Sequence, residues 1–224
     1  MRFFILTLFP HIIENAVDFS ILKRAKDKKL IEVIPINIRD FAQDKHKTTD
    51  MPPYGGGAGM VLKPEPLFLA VKHVLNTYRL AKKSSEIILL SAGGKLFNQE
   101  MAKELANKKD LILMAGHYEG VDERVAEYLA TREISIGNYV LSGGEYPALV
   151  LLDTVSRLLP EVLENEESLK TESFQEKDVV EYPQYTRPEI YEGLKVPKVL
   201  LSGNHKEIEL WRKSESERKT KENS

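Results

Sequence analysis

The sequence predicts an α/β protein built around a parallel β-sheet. Three features predict it: apolar strand-like runs alternate with stretches of helical periodicity, one run is apolar throughout like a strand buried on both faces, and several runs end in glycine-containing loops. The chain has 224 residues, of which 42% are hydrophobic and 29% charged. This composition is typical of a globular protein, and the length predicts one large or two small domains.

The first part of the chain reads strand, helix, strand. The β-branched and aromatic run at 2–9 is bounded by Pro10 and predicts a strand, as does the run at 31–38. Apolar residues between them recur at helical spacing and predict one helix over about 11–28. This order of elements favours parallel pairing of the two strands.

The segment 39–60 has no period and predicts a long loop. Its first half contains the basic residues Lys45 and Lys47, and it ends in a glycine-rich run. Such a loop is expected either to lie against a phosphate or to be a flexible solvent loop. A Walker phosphate-binding loop is excluded because no Gly-Lys-Ser or Gly-Lys-Thr follows the three glycines.

The middle of the chain continues the alternation of helices and strands. In chain order the periodicity predicts a helix around 67–78, a strand at 86–90, a helix at 98–108, a strand at 110–115 and a helix at 145–159 ended by Pro160. The segment 161–182 holds eight acidic residues against two lysines, which predicts a flexible linker. A compact second unit follows, with a charged helix from about residue 204 and a frayed end over 213–224.

The stretch 134–145, which reads ISIGNYVLSGGE, is the centre of the predicted site. Its first apolar run is followed by Gly137 and its second leads into Gly143 and Gly144. Because a residue without Cβ lets the backbone approach a ligand closely, the stretch predicts main-chain N–H and C=O groups facing a flat polar molecule such as an adenine edge. The alternative is a plain tight turn after a strand. With the loops that follow 86–90 and 110–115, it is expected to converge at the carboxyl ends of the strands.

Several classes of protein are excluded or disfavoured by composition. The chain has no cysteine, so it cannot form a disulfide, a thiolate zinc site or a cysteine nucleophile, and a reducing, cytoplasmic compartment is expected. The apolar opening is too short for a membrane span and lacks a secretory cleavage site. The histidines show no metal-ligand spacing, so no metal site is predicted. A net charge of −2 does not indicate a nucleic-acid partner, although 195–224 alone carries +3.

Six motifs allow a comparison with a known family. They occur in the order YGGGAGM, GHYEGVDERV, SIGNYVLSGGEYPA, DTVSRLLP, YPQYTRPE and VPKVLLSGNH. In order and spacing the chain resembles the bacterial tRNA (guanine-N1)-methyltransferases, which belong to the SPOUT superfamily. The resemblance implies an α/β fold: a knotted parallel-sheet SPOUT methyltransferase domain over 1–160, a flexible acidic linker over 161–182, and a small helical C-terminal tRNA-binding domain, shortened, over 183–224.

The resemblance also implies the reaction and the site. It implies methyl transfer from S-adenosyl-L-methionine to N1 of the guanosine immediately 3′ of the tRNA anticodon, by a homodimer that shares its active sites and binds neither membrane nor DNA. Catalysis is expected from Glu172 as general base and from Arg157, which stabilises charge on O6. Whether Mg²⁺ assists proton removal is left open. The cofactor is expected to contact Leu90, Ser91, Gly116, Glu119, Ile136, Gly137, Asn138, Tyr139, Val140, Leu141, Gly143 and Gly144.

This sequence departs from the family pattern at several places. Glu172 stands where the family has aspartate before Ser-Phe, which keeps the carboxylate and adds a methylene. His117 stands where arginine is common, and Asn138 where aspartate is usual. One extra residue lies between Ser173 and Pro183, and the chain ends at Ser224, earlier than relatives with further helices.

Other interpretations remain at this stage. Arg157 could pair with a linker acid, and Glu172 could be one more solvated carboxylate. The whole chain could be a non-catalytic RNA-binding or cofactor-sensing protein that kept the fold. A nucleotide-dependent dehydrogenase is disfavoured because the first strand is not followed by GxGxxG.

Overall fold

The protein forms two compact units, Met1–Glu164 and Asn165–Ser224. The structure, a computed structural model, describes residues 1–81, 84–163, 172–174 and 178–222. The predicted domain limits at 160 and 182 stay predictions, because a division into two units does not delimit a linker.

The first unit is built on a five-stranded sheet of order β2-β1-β6-β5-β7, in which every pair of neighbours is parallel. A two-stranded antiparallel ribbon, β3 with β4, lies outside it. The strands are β1 (Arg2–Thr7), β2 (Glu32–Asn37), β3 (Asp50–Met51), β4 (Val61–Leu62), β5 (Ser85–Leu96), β6 (Asp110–Ala115) and β7 (Arg132–Ser135). The predicted α/β fold with a parallel sheet is confirmed.

Helices cover both faces of the sheet and leave two apolar cores. One core is shared by α1, α2, α4 and α6, and the other by α3 and α5. Along β1, Phe3 and Ile5 enter the first core while Phe4 and Leu6 enter the second, because successive side chains of a strand point to opposite faces. The helices are α1 (Pro10–Ala16), α2 (Ser20–Asp27), α3 (Pro64–Thr77), α4 (Gln99–Ala106), α5 (Glu123–Tyr128) and α6 (Glu145–Ser156).

The single helix predicted over 11–28 is wrong, since the chain forms α1 and α2 with a break between them. Val17 caps α1, Phe19 is extended, and Ser20 has a φ of 50°. The break changes the direction of the chain, so that Ile13 of α1 and Leu22 of α2 both reach the same core. Spacing alone did not show the break because the apolar residues keep nearly helical spacing through it.

Other boundaries differ from the predicted ones in ways that bear on the site. The predicted strand at 86–90 continues to Leu96, with an irregularity between Leu90 and Lys95 where the pairing with β7 shifts. The predicted loop at 39–60 begins in a 3₁₀ helix, Ile38–Phe41, and contains β3. Helix α5 was not predicted, because six residues are too few for a clear period.

In the part of the second unit that the structure describes, three short elements precede a long terminal helix. An antiparallel ribbon pairs Ile190–Tyr191 with Leu194–Lys195, and the helix Lys198–Leu201 precedes the terminal helix, His205–Glu222. The prediction that 213–224 is frayed is therefore wrong as far as Glu222. Arg218 explains part of this order, because it bridges Glu215 and Glu222 on adjacent turns.

Candidate active site

A cleft of about 310 Å³ opens in the first unit at the carboxyl ends of β5, β6 and β7. The loops that follow β6 and β7 contribute to its lining, as the sequence predicted for the convergence of strand ends, whereas β5 contributes residues 89–92 at the start of its irregular part. Eleven of the twelve predicted cofactor residues line it: Leu90, Ser91, Gly116, Glu119, Ile136, Gly137, Tyr139, Val140, Leu141, Gly143 and Gly144. Asn138 is the exception and is not part of the lining.

The chain crosses itself at this edge of the sheet. Because β5 lies between β7 and β6, the segment that leaves β7 must pass the end of β5 to reach β6. There the N–H of Gly144 donates to the carbonyl of Gly116 at 2.7 Å. Beyond Leu90, strand β5 passes close to β7 at Gly94, where a Cβ would lie 2.5 Å from the backbone nitrogen of Ile134. This crossing is the arrangement expected of the knotted fold.

Gly144 is required where the two loops touch. A Cβ at this position would lie 2.6 Å from Cα of Ala115 and 2.9 Å from the nitrogen of Gly116, and both of these atoms belong to the backbone. A clash with backbone cannot be relieved by a rotamer change. The glycine therefore keeps the loop after β7 against the loop after β6 and holds the cleft closed on that side.

The loop after β7 is fixed by its own hydrogen bonds. The hydroxyl of Ser135 donates to the carbonyl of Gly137 at 3.0 Å and accepts from the N–H of Gly137 at 3.3 Å. The hydroxyl of Tyr139 donates to the carbonyl of Ile136 at 3.1 Å, which lays its ring against Gly137. The apolar run at 139–141 is exposed rather than buried, with Val140 86% exposed. Its side chains are therefore available to a ligand or a partner chain.

A buried carboxylate beneath the cleft was missed by sequence reasoning. Glu145, the first residue of α6, is 2% exposed and accepts a 2.6 Å hydrogen bond from the hydroxyl of Thr7. Its other oxygen lies 3.8 Å from Nε2 of His117. A single glutamate after Gly-Gly carries no distinctive pattern; the only signal is an acidic residue at a helix start.

This network joins the end of β1 to both loops of the cleft. The hydroxyl of Thr7 also accepts from the N–H of Phe9 at 2.9 Å, and the rings of Phe9 and His117 are 5.0 Å apart. His117 pairs with Gly143 in an isolated β-bridge. Glu145 therefore links Thr7 to the side chain of His117, and the backbone of His117 pairs with the loop after β7.

The glycine-rich loop before β4 borders the same cleft. The N–H of Glu119 donates to the carbonyl of Met60 at 3.0 Å, and the N–H of Leu62 donates to the carbonyl of Gly120 at 3.0 Å. Gly59 lies so close to the Glu119 side chain that a Cβ would come within 2.5 Å of its carboxylate oxygen. The loop is thus attached to the cleft by backbone bonds rather than free in solvent along its whole length.

Of the two predicted catalytic residues, Arg157 belongs to the first unit and is not part of the cleft lining. Arg157 is half-buried and caps the carboxyl end of α6, where its N–H donates to the carbonyl of Asp153 at 3.1 Å. Glu172 is half-buried and belongs to the second unit. Their roles remain predictions.

Two kinds of feature are missing from the described ranges 1–81, 84–163, 172–174 and 178–222. Within them no group of three or more histidine, aspartate and glutamate side chains could hold a metal ion. In the same ranges no helix has the length and apolar character needed to cross a membrane.

Residues 1–224 match the family described as tRNA (Guanine-1)-methyltransferase TrmD. A tRNA (guanine-N(1)-)-methyltransferase of Clostridioides difficile strain 630 is 54% identical over 99% of this chain and 95% of its own length. One of Dictyoglomus turgidum is 55% identical over 98% of this chain and 86% of its own.

A solved structure extends the likeness to the fold. The crystal structure of tRNA (m1G37) methyltransferase from Aquifex aeolicus superposes with a TM-score of 0.82 at 42% identity. The match covers 99% of this chain and 92% of that one.

Proposed function

Since the chain belongs to the tRNA (guanine-1)-methyltransferase family, we propose that it transfers a methyl group from S-adenosyl-L-methionine to N1 of the guanosine at position 37 of tRNA. The chain is a methyltransferase by its membership in this family, and position 37 is proposed from its likeness to the tRNA (m1G37) methyltransferase of Aquifex aeolicus. tRNA as substrate also favours a cytoplasmic location.

The observation that carries the proposal is the glycine-lined cleft at the carboxyl ends of β5, β6 and β7. Its walls offer main-chain groups at Gly116, Gly137 and Gly144, where a Cβ on two of the three would strike neighbouring atoms. Such a cradle fits a flat adenine, which needs both donors and acceptors at short range. Glu119 adds a carboxylate suited to the amino group of the methionine part.

The cofactor, when bound, supplies an electrophilic methyl group on a sulfonium. Guanine N1 carries a proton at neutral pH, so the protein must remove it for N1 to accept the methyl group. We assign this step to the Glu172 carboxylate. The Arg157 guanidinium, which keeps its charge, would donate to O6 as negative charge develops there.

Glu172 differs from the family aspartate by one methylene. A longer side chain reaches farther and loses more rotamer freedom when it is held in place. A Glu172→Asp variant is therefore expected to keep methylation within about tenfold of the parent rate, whereas Glu172→Gln is expected to lose it.

A homodimer that shares its sites is the second part of the proposal. Apolar side chains stand exposed beside the cleft, with Tyr146 62% and Val150 41% exposed one turn apart on α6, and Val140 on the adjacent loop. An exposed apolar patch at the start of a helix favours burial by a second copy of the chain. We further propose that the second unit binds tRNA.

Complementation tests whether the sites are shared. Glu172→Gln and Gly144→Ala chains are mixed under conditions that exchange subunits, at a cofactor concentration too low to load the Gly144→Ala cleft. If the linker of one chain serves the cleft of the other, one of the two sites in each mixed dimer is complete. That site combines the intact cleft of the Glu172→Gln chain with Glu172 of the Gly144→Ala chain, and activity returns. If each chain builds its own site, every site keeps one defect and the mixture stays inactive.

The reaction itself is tested with labelled cofactor and two tRNA transcripts that differ only at position 37. Methylation of the guanosine transcript, with 1-methylguanosine as product, and none of the adenosine transcript is expected. Labelling of both transcripts would contradict N1 of guanosine as the target. Labelling of neither, with cofactor still bound, would favour a non-catalytic cofactor-sensing protein.

A further inference from the structure

Within the second unit, the segment 178–185 lies along the terminal helix and contacts it at three levels. Val180 meets the helix near its carboxyl end, the Tyr182 ring faces the guanidinium of Arg212 at 4.8 Å, and the Tyr185 ring lies 6.2 Å from that of Trp211. The contacts progress in opposite directions along the two segments, so the segment runs antiparallel to the helix over more than two turns.

The strongest of these contacts engages both backbone groups of Val180. Its N–H donates to Oγ1 of Thr220 at 3.0 Å, and its carbonyl accepts from Oγ of Ser216 at 2.5 Å. Ser216 and Thr220 are one turn apart and lie on the same stripe as Arg212, since residues at i, i+4 and i+8 share a helix face. Two side chains thus do for Val180 what a neighbouring strand does in a sheet.

The same segment is bonded to the residues that directly follow Glu172. The N–H of Glu181 donates to Oγ of Ser173 at 2.9 Å, and the N–H of Phe174 donates to the carbonyl of Val179 at 2.7 Å. A short chain of hydrogen bonds therefore leads from Ser216 and Thr220 through Val180 to the position next to Glu172.

Polar contacts hold the segment 178–185 against the terminal helix, because this helix offers little apolar surface for packing. None of its residues is buried, and Leu210 is 62% exposed. Its half-buried residues include Ser216 and Thr220, whose hydroxyls bond to Val180, and Trp211, whose ring lies near that of Tyr185. A helix that is polar on nearly all sides has few other ways to hold a chain segment in one place.

We propose that Ser216 and Thr220 are positioning residues for the methyl transfer, which hold the segment after Glu172 so that its carboxylate reaches the substrate in a restricted set of positions. The inference rests on the proposed role of Glu172 as base. Restricting the segment lowers the conformational entropy lost when the carboxylate meets N1, so the effect is expected in kcat rather than in binding.

The test compares the double variant Ser216→Ala, Thr220→Val with the parent and with Ser214→Ala. Ser214 is a matched control because it lies on the same helix, is exposed, and donates to the carbonyl of Trp211, a residue of the helix itself. The measurements are hydrogen exchange of the Val180 amide, kcat, the KM for tRNA and the affinity for cofactor. The double variant is expected to exchange this amide about tenfold faster and to lose about tenfold in kcat, with KM and cofactor affinity unchanged.

Two further variants separate positioning from a structural role. The single variant Thr220→Ser keeps a hydroxyl that accepts from the N–H of Val180. With Ser216 present, its kcat is expected to match that of the parent rather than that of the double variant. Adding Glu172→Gln to the double variant is expected to lower kcat no further than Glu172→Gln alone, because both changes act through one carboxylate. A parent kcat in the double variant, with or without faster exchange, overturns the inference while leaving a slow Glu172→Gln enzyme intact. A parent rate in Glu172→Gln instead overturns the base assignment itself.

Discussion

The two ends of the central sheet are built from opposite chemistry. At the amino ends of the strands, charged side chains pair with one another: Arg2 of β1 donates to Asp110 of β6 at 2.6 Å, and Glu86 of β5 meets Lys108 at 2.9 Å. At the carboxyl ends, glycines and main-chain groups surround an open cleft. At the amino ends of the strands the charged side chains pair with one another, whereas at the carboxyl ends the main-chain polar groups are left for a ligand.

This difference separates stability from function along the same strands. The pKa of Glu86 lies below its usual range: burial would raise it, but hydrogen bonds from Lys108 and Thr131 and the charge of Arg132 outweigh burial. Because the charged groups of this network pair with one another, it offers no binding group to a substrate. Changes at the amino ends should therefore lower stability and spare cofactor binding, whereas changes at the carboxyl ends should lower cofactor affinity.

The largest effect is expected for Gly144→Ala at the carboxyl end. The added Cβ would strike the backbone of Ala115 and Gly116, so the two loops must separate. Cofactor affinity, measured by titration calorimetry, is expected to fall about 100-fold. Gly93→Ala is the control, because its Cβ would meet only Oγ of Ser91 at 3.7 Å, an ordinary contact. Equal losses in both variants would mean that general loop disturbance, not the closure at Gly144, is responsible.

The second effect concerns the buried carboxylate beneath the cleft. Glu145→Ala leaves the Thr7 hydroxyl without its acceptor and removes the group facing His117. The same calorimetric titration is expected to show about tenfold weaker cofactor binding, since the loops lose a shared support. Glu145→Gln keeps an oxygen for Thr7 and should lose less. Unchanged affinity in Glu145→Ala would limit this residue to stability alone.

At the amino end, Asp110→Asn is expected to act on stability instead. The change weakens the hydrogen bond from Arg2 to a side chain that is 4% exposed, and the free energy of unfolding is expected to fall by about 1 kcal/mol. Urea denaturation measures the loss, and cofactor affinity measured on the same protein should match the parent. A fall in cofactor affinity without a fall in the free energy of unfolding would contradict the distinction between the amino and carboxyl ends of the strands.

The smallest effect is a pH dependence at Glu86. Its pKa is lower in the folded protein than in the unfolded chain, so its ionised form contributes stability above the unfolded value of about 4.3, and this contribution is lost as pH falls through the folded pKa. The difference in unfolding free energy between the parent and Glu86→Gln should be largest near neutral pH and shrink in acid. A difference that grew in acid would reverse the sign of the assignment.

Sequence patterns predicted the sheet better than the site. The strand Asp110–Ala115 was predicted to the residue because a continuous apolar run has one reasonable structure when glycine follows it. The break between α1 and α2 was not predicted, because Ile13, Val17 and Ile21 recur every four residues across it. Local spacing does not register a change of chain direction that depends on tertiary packing.

At the cleft, glycines gave a correct expectation of where loops meet but not of what supports them. Gly143 and Gly144 predicted close backbone approach, and Gly144 makes one. The bonds from Thr7 to Glu145 join residues 138 positions apart, which no local pattern reveals. The assignment of Glu172 came from the family resemblance alone, because a carboxylate in an acidic segment has no pattern of its own.

The most direct test of the account is single-turnover methyl transfer by Glu172→Gln, with tRNA and labelled cofactor both saturating. General-base catalysis typically contributes 10²–10⁴-fold, so the rate is expected to fall at least about 100-fold while both binding constants match the parent. Transfer at the parent rate, with both ligands bound as in the parent, would show that another group removes the proton from N1 and would contradict the account.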